Sequence, residues 1–149
     1  MNPIPSLLGT TLSGRAFRIP EDLAESPTAL VFGFTHEARH DVRAWKGFFT
    51  AQGIAFLSVP TTPVDVPAET LTPTMAAMRP HVPPQALDSI VMVHQGGSLL
   101  LANFGWTTED FAKVLMLEKG RVCAIHGEGP FGNAAAEIFR PTSEGFRAS

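Results

Sequence analysis

Between residues 28 and 59 the chain reads strand, helix, strand, and that run narrows the folds open to it. Residues 28–35 (TALVFGFT) are nearly continuously apolar, as in a strand covered on both faces. A helix is expected over 37–52. There Ala38, Val42, Trp45 and Phe49 fall on one stripe of the helical repeat. Thr35 suits an N-cap, Glu37 and Asp41 suit the positive end of the helix, and Gly53 suits its stop. Residues 54–59 (IAFLSV) form a second apolar strand. Short connections make this a right-handed βαβ unit with parallel strands.

Around that unit the chain has 149 residues, enough for one α/β domain spanning 1–149 without disulfide support. Residues 1–27 read as an irregular, Pro- and Gly-punctuated lead-in with one short strand near 15–19. Residues 60–84 hold seven of the thirteen prolines. They read as an ordered surface excursion with a short helix near 71–78, or else as a flexible binding loop. Further on, a strand is expected over 90–94, a helix over 98–104, a hairpin from 113–117 and 121–126, and a closing helix over 133–140. The order implies an α/β fold with a mixed central sheet and flanking helices.

The net charge of −3 gives no electrostatic reason to expect nucleic acid or an anionic membrane surface as partner. No run approaches the ~20 apolar residues of a membrane span, so membrane insertion is not expected. The N-terminal residues lack the basic and apolar regions of a secretory signal. A cytoplasmic, bacterial setting is the expectation, or a mitochondrial one if a targeting segment precedes the chain.

Three motifs invite chemistry. His36-Glu37-Ala38-Arg39-His40 is a literal H-E-x-x-H, which on a helix places two imidazoles for zinc with the Glu as base. His36 and His40 are therefore the candidate metal ligands. A third ligand has no recognisable spacing, and His81, His94 or His126 could supply it only through the fold. Both histidines also lie about 200° around the helix from Ala38, opposite the apolar stripe. Gly127-Glu128-Gly129-Pro130-Phe131-Gly132 is a literal G-x-G-x-x-G, but the 17 residues after it leave no room for a dinucleotide-binding sheet. It reads as a strand-to-helix turn, as does the His94-Gln95-Gly96-Gly97-Ser98 loop. Cys123, the one cysteine, sits inside an apolar strand and reads as a buried structural thiol. A reactive thiol would want a cationic, exposed setting.

GTTLSGRAFRIPEDL followed by TALVFGFTHEARHDVRAWKGFF resembles the N-terminal half of redoxins of the thioredoxin-like superfamily. ANFGWTTEDFAKVLMLEKGRVCAIHGEGP resembles the matching C-terminal half. Within that superfamily, AAMRPHVPPQALDSIVMVH and the Trp45 helix resemble the thioredoxin-like assembly factors of the mitochondrial ATP synthase. The resemblance implies a three-layer thioredoxin-like fold and an assembly or chaperone role toward membrane-complex subunits. It also places a redox dithiol near residues 38–41 and a cis-proline near Ala112, and neither is present. The expected function is therefore that of a redox-inactive binding or assembly protein with no cofactor, and enzyme activity is not the leading expectation. Its binding surface would use Thr35, His36, Glu37, Arg39, His40, Trp106 and Thr107, close to the 60–84 excursion. Two alternatives stand beside it: a thiol or peroxide oxidoreductase using Cys123, and a zinc-binding protein or hydrolase using His36, Glu37 and His40.

Overall fold

The strand expected from the apolar run at residue 28 is the spine of the molecule. In the computed structural model, which describes residues 4–106 and 110–141, seven strands take the order β1 (Leu7–Thr11), β2 (Ala16–Ile19), β3 (Thr28–Gly33), β4 (Phe56–Pro60), β5 (Val91–Gln95), β6 (Lys113–Glu118) and β7 (Arg121–His126). The helices are α1 (Arg39–Gln52), α2 (Thr72–Met78), α3 (Gly97–Phe104) and α4 (Asn133–Ala136). β3 pairs parallel with β4 and antiparallel with β6, and β7 closes that sheet as β4-β3-β6-β7. A second sheet, β2-β1-β5, abuts it through parallel bridges from Ser58 to Ile90 and from Thr61 to Val93. The strands thus form one mixed array, β2-β1-β5-β4-β3-β6-β7.

Alternation along β3 separates the two cores. Ala29 and Val31 face α1 and α4, where they meet Trp45, Phe49, Ala136 and Phe139. Leu30 and Phe32 face the opposite layer, with Leu100 of α3 and Trp106. Both sides of β3 are therefore dry, which is why its sequence shows no polar alternation. Ile90 and Met92 turn to the α1 face and, with Leu12, are covered by Met75 of α2. The excursion is anchored to β5 by Met75 and by backbone bonds from the Thr62 and Val66 amides to the Val93 and His94 carbonyls, and short 3-10 turns flank its helix.

The lead-in needs correction. Residues 1–27 are not irregular throughout, because Leu7–Thr11 form β1 between β2 and β5. Leu7, Gly9 and Thr11 are buried while Leu8 and Thr10 are half-buried, the period-2 pattern of a covered strand. Gly9 is required there. A Cβ at this position would stand 2.6 Å from the Met92 carbonyl oxygen.

Candidate functional site

The start of α1 is where a redoxin would carry its thiols. Thr35 is extended, a 3-10 turn spans His36–Ala38, and the α-helix begins at Arg39. The change of helix type inside the H-E-x-x-H string means that His36 and His40 do not share one regular helix. Both histidines, Glu37 and Arg39 are exposed, and Arg39 Nη1 donates to the His36 carbonyl at 2.9 Å.

Asp41, at the last expected thiol position, is fully engaged. Its Oδ2 accepts the Ala112 amide at 2.8 Å and its Oδ1 accepts the Phe131 amide at 2.6 Å. Ala112 stands where the redoxin pattern expects a proline, and a proline would have no N–H to give. The two departures from that pattern are thus coupled: the alanine supplies the hydrogen that the aspartate binds. These are charge-assisted bonds, the stronger class. Asp41 ties the helix start to two distant loops and has no oxygen left without a partner.

The remaining motif residues are scattered. His94 Nδ1 donates to the Val66 carbonyl at 3.1 Å and His126 Nε2 to the Gly129 carbonyl at 3.1 Å. Both rings are buried and committed to backbone. His81 is exposed in the excursion. Among the described residues no three of His, Cys, Asp and Glu gather in a group that could hold a metal ion. The Gly-rich strings are structural. The Gly96 amide donates to Asp65 Oδ1 at 2.9 Å, and the Gly127 carbonyl accepts the buried Lys113 ammonium at 2.9 Å. A Cβ on Gly127 would lie 2.1 Å from the Trp106 indole nitrogen.

Trp106, named in the expected surface, packs inward at that contact. It is 8% exposed, stacks on Phe104 at 5.0 Å between ring centroids and packs against Phe32 at 6.1 Å. The indole belongs to the core cluster of Leu30 and Phe32. Thr107, its expected partner in recognition, lies outside the described residues. Cys123 is half-buried on β7, and its thiol donates to the Met116 carbonyl at 3.4 Å. Burial first, and the Glu118 carboxylate second, push its pKa above the ordinary thiol value. This is the reverse of the cationic setting that activates a thiol.

Near the Thr35–His40 turn and the excursion, where the sequence reading put the binding surface, the structure has a concavity whose α1 wall that reading did not name. A cleft of about 560 Å³ opens between α1 and α2, alongside the C-terminal ends of β3 and β4. Arg39, Val42, Arg43 and Lys46 form its α1 wall, at i, i+3, i+4 and i+7 on one helix face. Leu71, Met78 and Val82 form the excursion wall, and Ser58, Ile90 and Met92 are the buried floor. Thr35 and His36 reach it from the strand-to-helix turn. Thus Thr35, His36 and Arg39 of the expected surface come together, while Glu37 and His40 lie outside the lining and Trp106 belongs to the opposite layer. The legible signal was the cationic spacing 39, 43, 46 beside the apolar stripe.

No protein-family model and no curated protein sequence matches the chain. Solved structures do. Yeast Sco1 superposes with a TM-score of 0.57 at 10% identity, over 92% of this chain and 95% of Sco1. BsSco, described as a member of the Sco family of cytochrome c oxidase assembly proteins with a disulfide switch, gives 0.59 at 12% identity, over 92% and 89%. An uncharacterized thioredoxin-like protein from Porphyromonas gingivalis gives 0.60 at 8% identity, over 91% and 86%. With the βαβ spine, the mixed sheet and helices on both faces, these matches establish that the chain has the thioredoxin-like fold.

Proposed function

We propose that the chain is a binding protein of the assembly type that uses the thioredoxin-like fold without thiol exchange. The cleft between α1 and α2, with the adjoining His36 turn, is its binding site. The observation that carries this reading is the start of α1, where Asp41 bonds two backbone amides in the position expected for a thiol. The only cysteine is three strands away from β4, on β7, with its pKa raised. The fold shared with BsSco supports an assembly role, and a subunit of a membrane complex is the partner class we infer. No helix among the described residues is long and apolar enough to cross a membrane, so such a subunit would be met from outside the bilayer in this reading.

The test is complementation. In a host deleted for the gene, the wild-type and Cys123→Ala genes should restore membrane-complex assembly equally. A folded Cys123→Ala protein that fails to restore it overturns the non-redox reading. So does an insulin-reduction assay in which the wild type, but not the variant, accelerates thiol exchange.

A second reading is metal carriage through His36 and His40. It is favoured by the copper-bound structures of yeast Sco1 and of Bradyrhizobium japonicum ScoI, which share the fold. Copper titration of the wild type against His36→Ala/His40→Ala decides it. Equal binding by the two proteins removes the idea.

A further inference from the structure

The geometry points to the α1–α2 cleft as a site for a small amphipathic anion, a carboxylate head group on an unbranched apolar chain. This deepens the binding reading above and rests on it.

The charge argument comes first. His36, Arg39, Arg43 and Lys46 line the cleft, and no Asp or Glu does. Among the described residues, Arg39, Arg43 and Lys46 take part in neither of the ion pairs seen, Arg15–Asp88 and Arg140–Glu137. Arg39 gives one N–H to a backbone carbonyl. Like charges spaced i, i+3 and i, i+4 repel one another. Lys46 is half-buried, and burial first, then Arg43, lower its pKa. A bound anion would relieve both effects.

The apolar argument selects the kind of anion. Val42, Leu71, Met78, Val82, Ile90 and Met92 supply much of the apolar lining, and Thr35, Ser58, Thr61, Thr62 and Thr74 its neutral polar part. An inorganic anion would leave that surface wet, whereas an alkyl chain would cover it. The size argument selects a small molecule. About 560 Å³ falls within the ~300–1,000 Å³ of small-molecule pockets. A stable protein interface needs about 800 Å² on each partner, which a concavity of this kind does not offer by itself. An acidic peptide is therefore the competing occupant.

Calorimetric titration of the full chain with dodecanoate, below its micelle concentration, tests the proposal. Dodecanoate should bind one per chain, and acetate and dodecanol at least about tenfold more weakly, since each lacks one half of the recognition. Arg43→Gln/Lys46→Gln should weaken dodecanoate about tenfold or more and flatten its salt dependence. Met78→Asp, whose side chain lies half-buried in the opposite wall, should weaken it comparably. Circular dichroism establishes that each variant is folded. Dodecanol binding as tightly as dodecanoate, or a double variant binding like the wild type, overturns the proposal. A peptide of alternating Leu and Glu that binds when dodecanoate does not would also overturn it, in favour of a peptide occupant. Complementation by Cys123→Ala reads the non-redox claim separately. If it succeeds and dodecanoate does not bind, only the anion site falls. If it fails while dodecanoate binds through Arg43 and Lys46, only the non-redox reading falls.

Discussion

Trp45 and Lys46 are neighbours in sequence, about 100° apart around α1, and one turns into the core while the other turns to the cleft. Trp45 is wholly buried, with Phe49 stacked at 5.8 Å and the rings of Phe131 and Phe139 edge-on at 5.0 and 5.3 Å. Lys46 stands beside Arg43 over a cleft with no carboxylate in its lining. The first flank is saturated: every surface it offers is covered, apart from one indole N–H without a partner. The second flank is left incomplete, with like charges and half-buried apolar wall held side by side. Stability is concentrated on one side of the helix and unsatisfied surface on the other. That division is what a binding site built on a rigid support requires.

Substitutions on the two flanks should therefore have opposite signatures. The largest effect belongs to the saturated side. Phe49→Ala should lower unfolding free energy by about 3–5 kcal/mol, because the aromatic cluster cannot close over the void. Urea denaturation measures it, and a loss below about 1 kcal/mol would show that the cluster is loosely packed.

Asp41→Asn should cost about 1–3 kcal/mol at neutral pH. An amide can present one acceptor oxygen, so either Ala112 or Phe131 would meet an N–H instead. Equal stability of the variant would show that the clamp contributes nothing.

On the cleft flank the sign reverses. Lys46→Met should stabilise the free protein by roughly 0.5 kcal/mol in low salt, since it removes a repulsive neighbour of Arg43 and a half-buried charge. Because folding lowers the Lys46 pKa, the penalty falls on the protonated form. The gain is full at neutral pH and disappears as pH rises through the ordinary lysine range. A gain that grew with pH would contradict this account.

The smallest effect concerns Cys123, at the edge of the cluster that holds Trp45 and Phe49. Its raised pKa means that the folded state favours the thiol, so its contribution is present below the ordinary thiol value and lost as pH rises above it. Iodoacetamide alkylation of the folded protein should accordingly inflect at higher pH than that of a free thiol. An inflection at or below the free-thiol value would show an activated cysteine.

The elements with a strong local signal were legible in the sequence. β3, α1 and β4 declare themselves because each buries a face that its own residues define. The hairpin of β6 and β7 does so through Lys119–Gly120, both in the left-handed region. β1 was missed because its burial depends on β5, about eighty residues later, and its five residues include a glycine. Trp106 looked like a loop contact because nothing local shows that Gly127 leaves room for an indole. The cleft was harder still. Its α1 wall is visible as a spacing of cations, but the opposite wall comes from the Pro-rich excursion, whose position is set by long-range contacts with β5: Met75 packing and the Thr62 and Val66 backbone bonds. Attention to the histidine string followed a known ligand pattern, while the more informative residues were three cations without acids.

The Asp41 clamp has a consequence for the order of events during synthesis. Its two partners lie 71 and 90 residues further along the chain. At elongation rates of about 5–20 residues per second, the carboxylate emerges several seconds before either amide exists to receive it. Through that interval the Asp41 carboxylate has neither of these amide partners. Any nascent or truncated chain that stops short of Phe131 carries an unfinished version of the very turn that borders the cleft. The cleft-facing end of the helix thus acquires these two bonds only when most of the chain has been made.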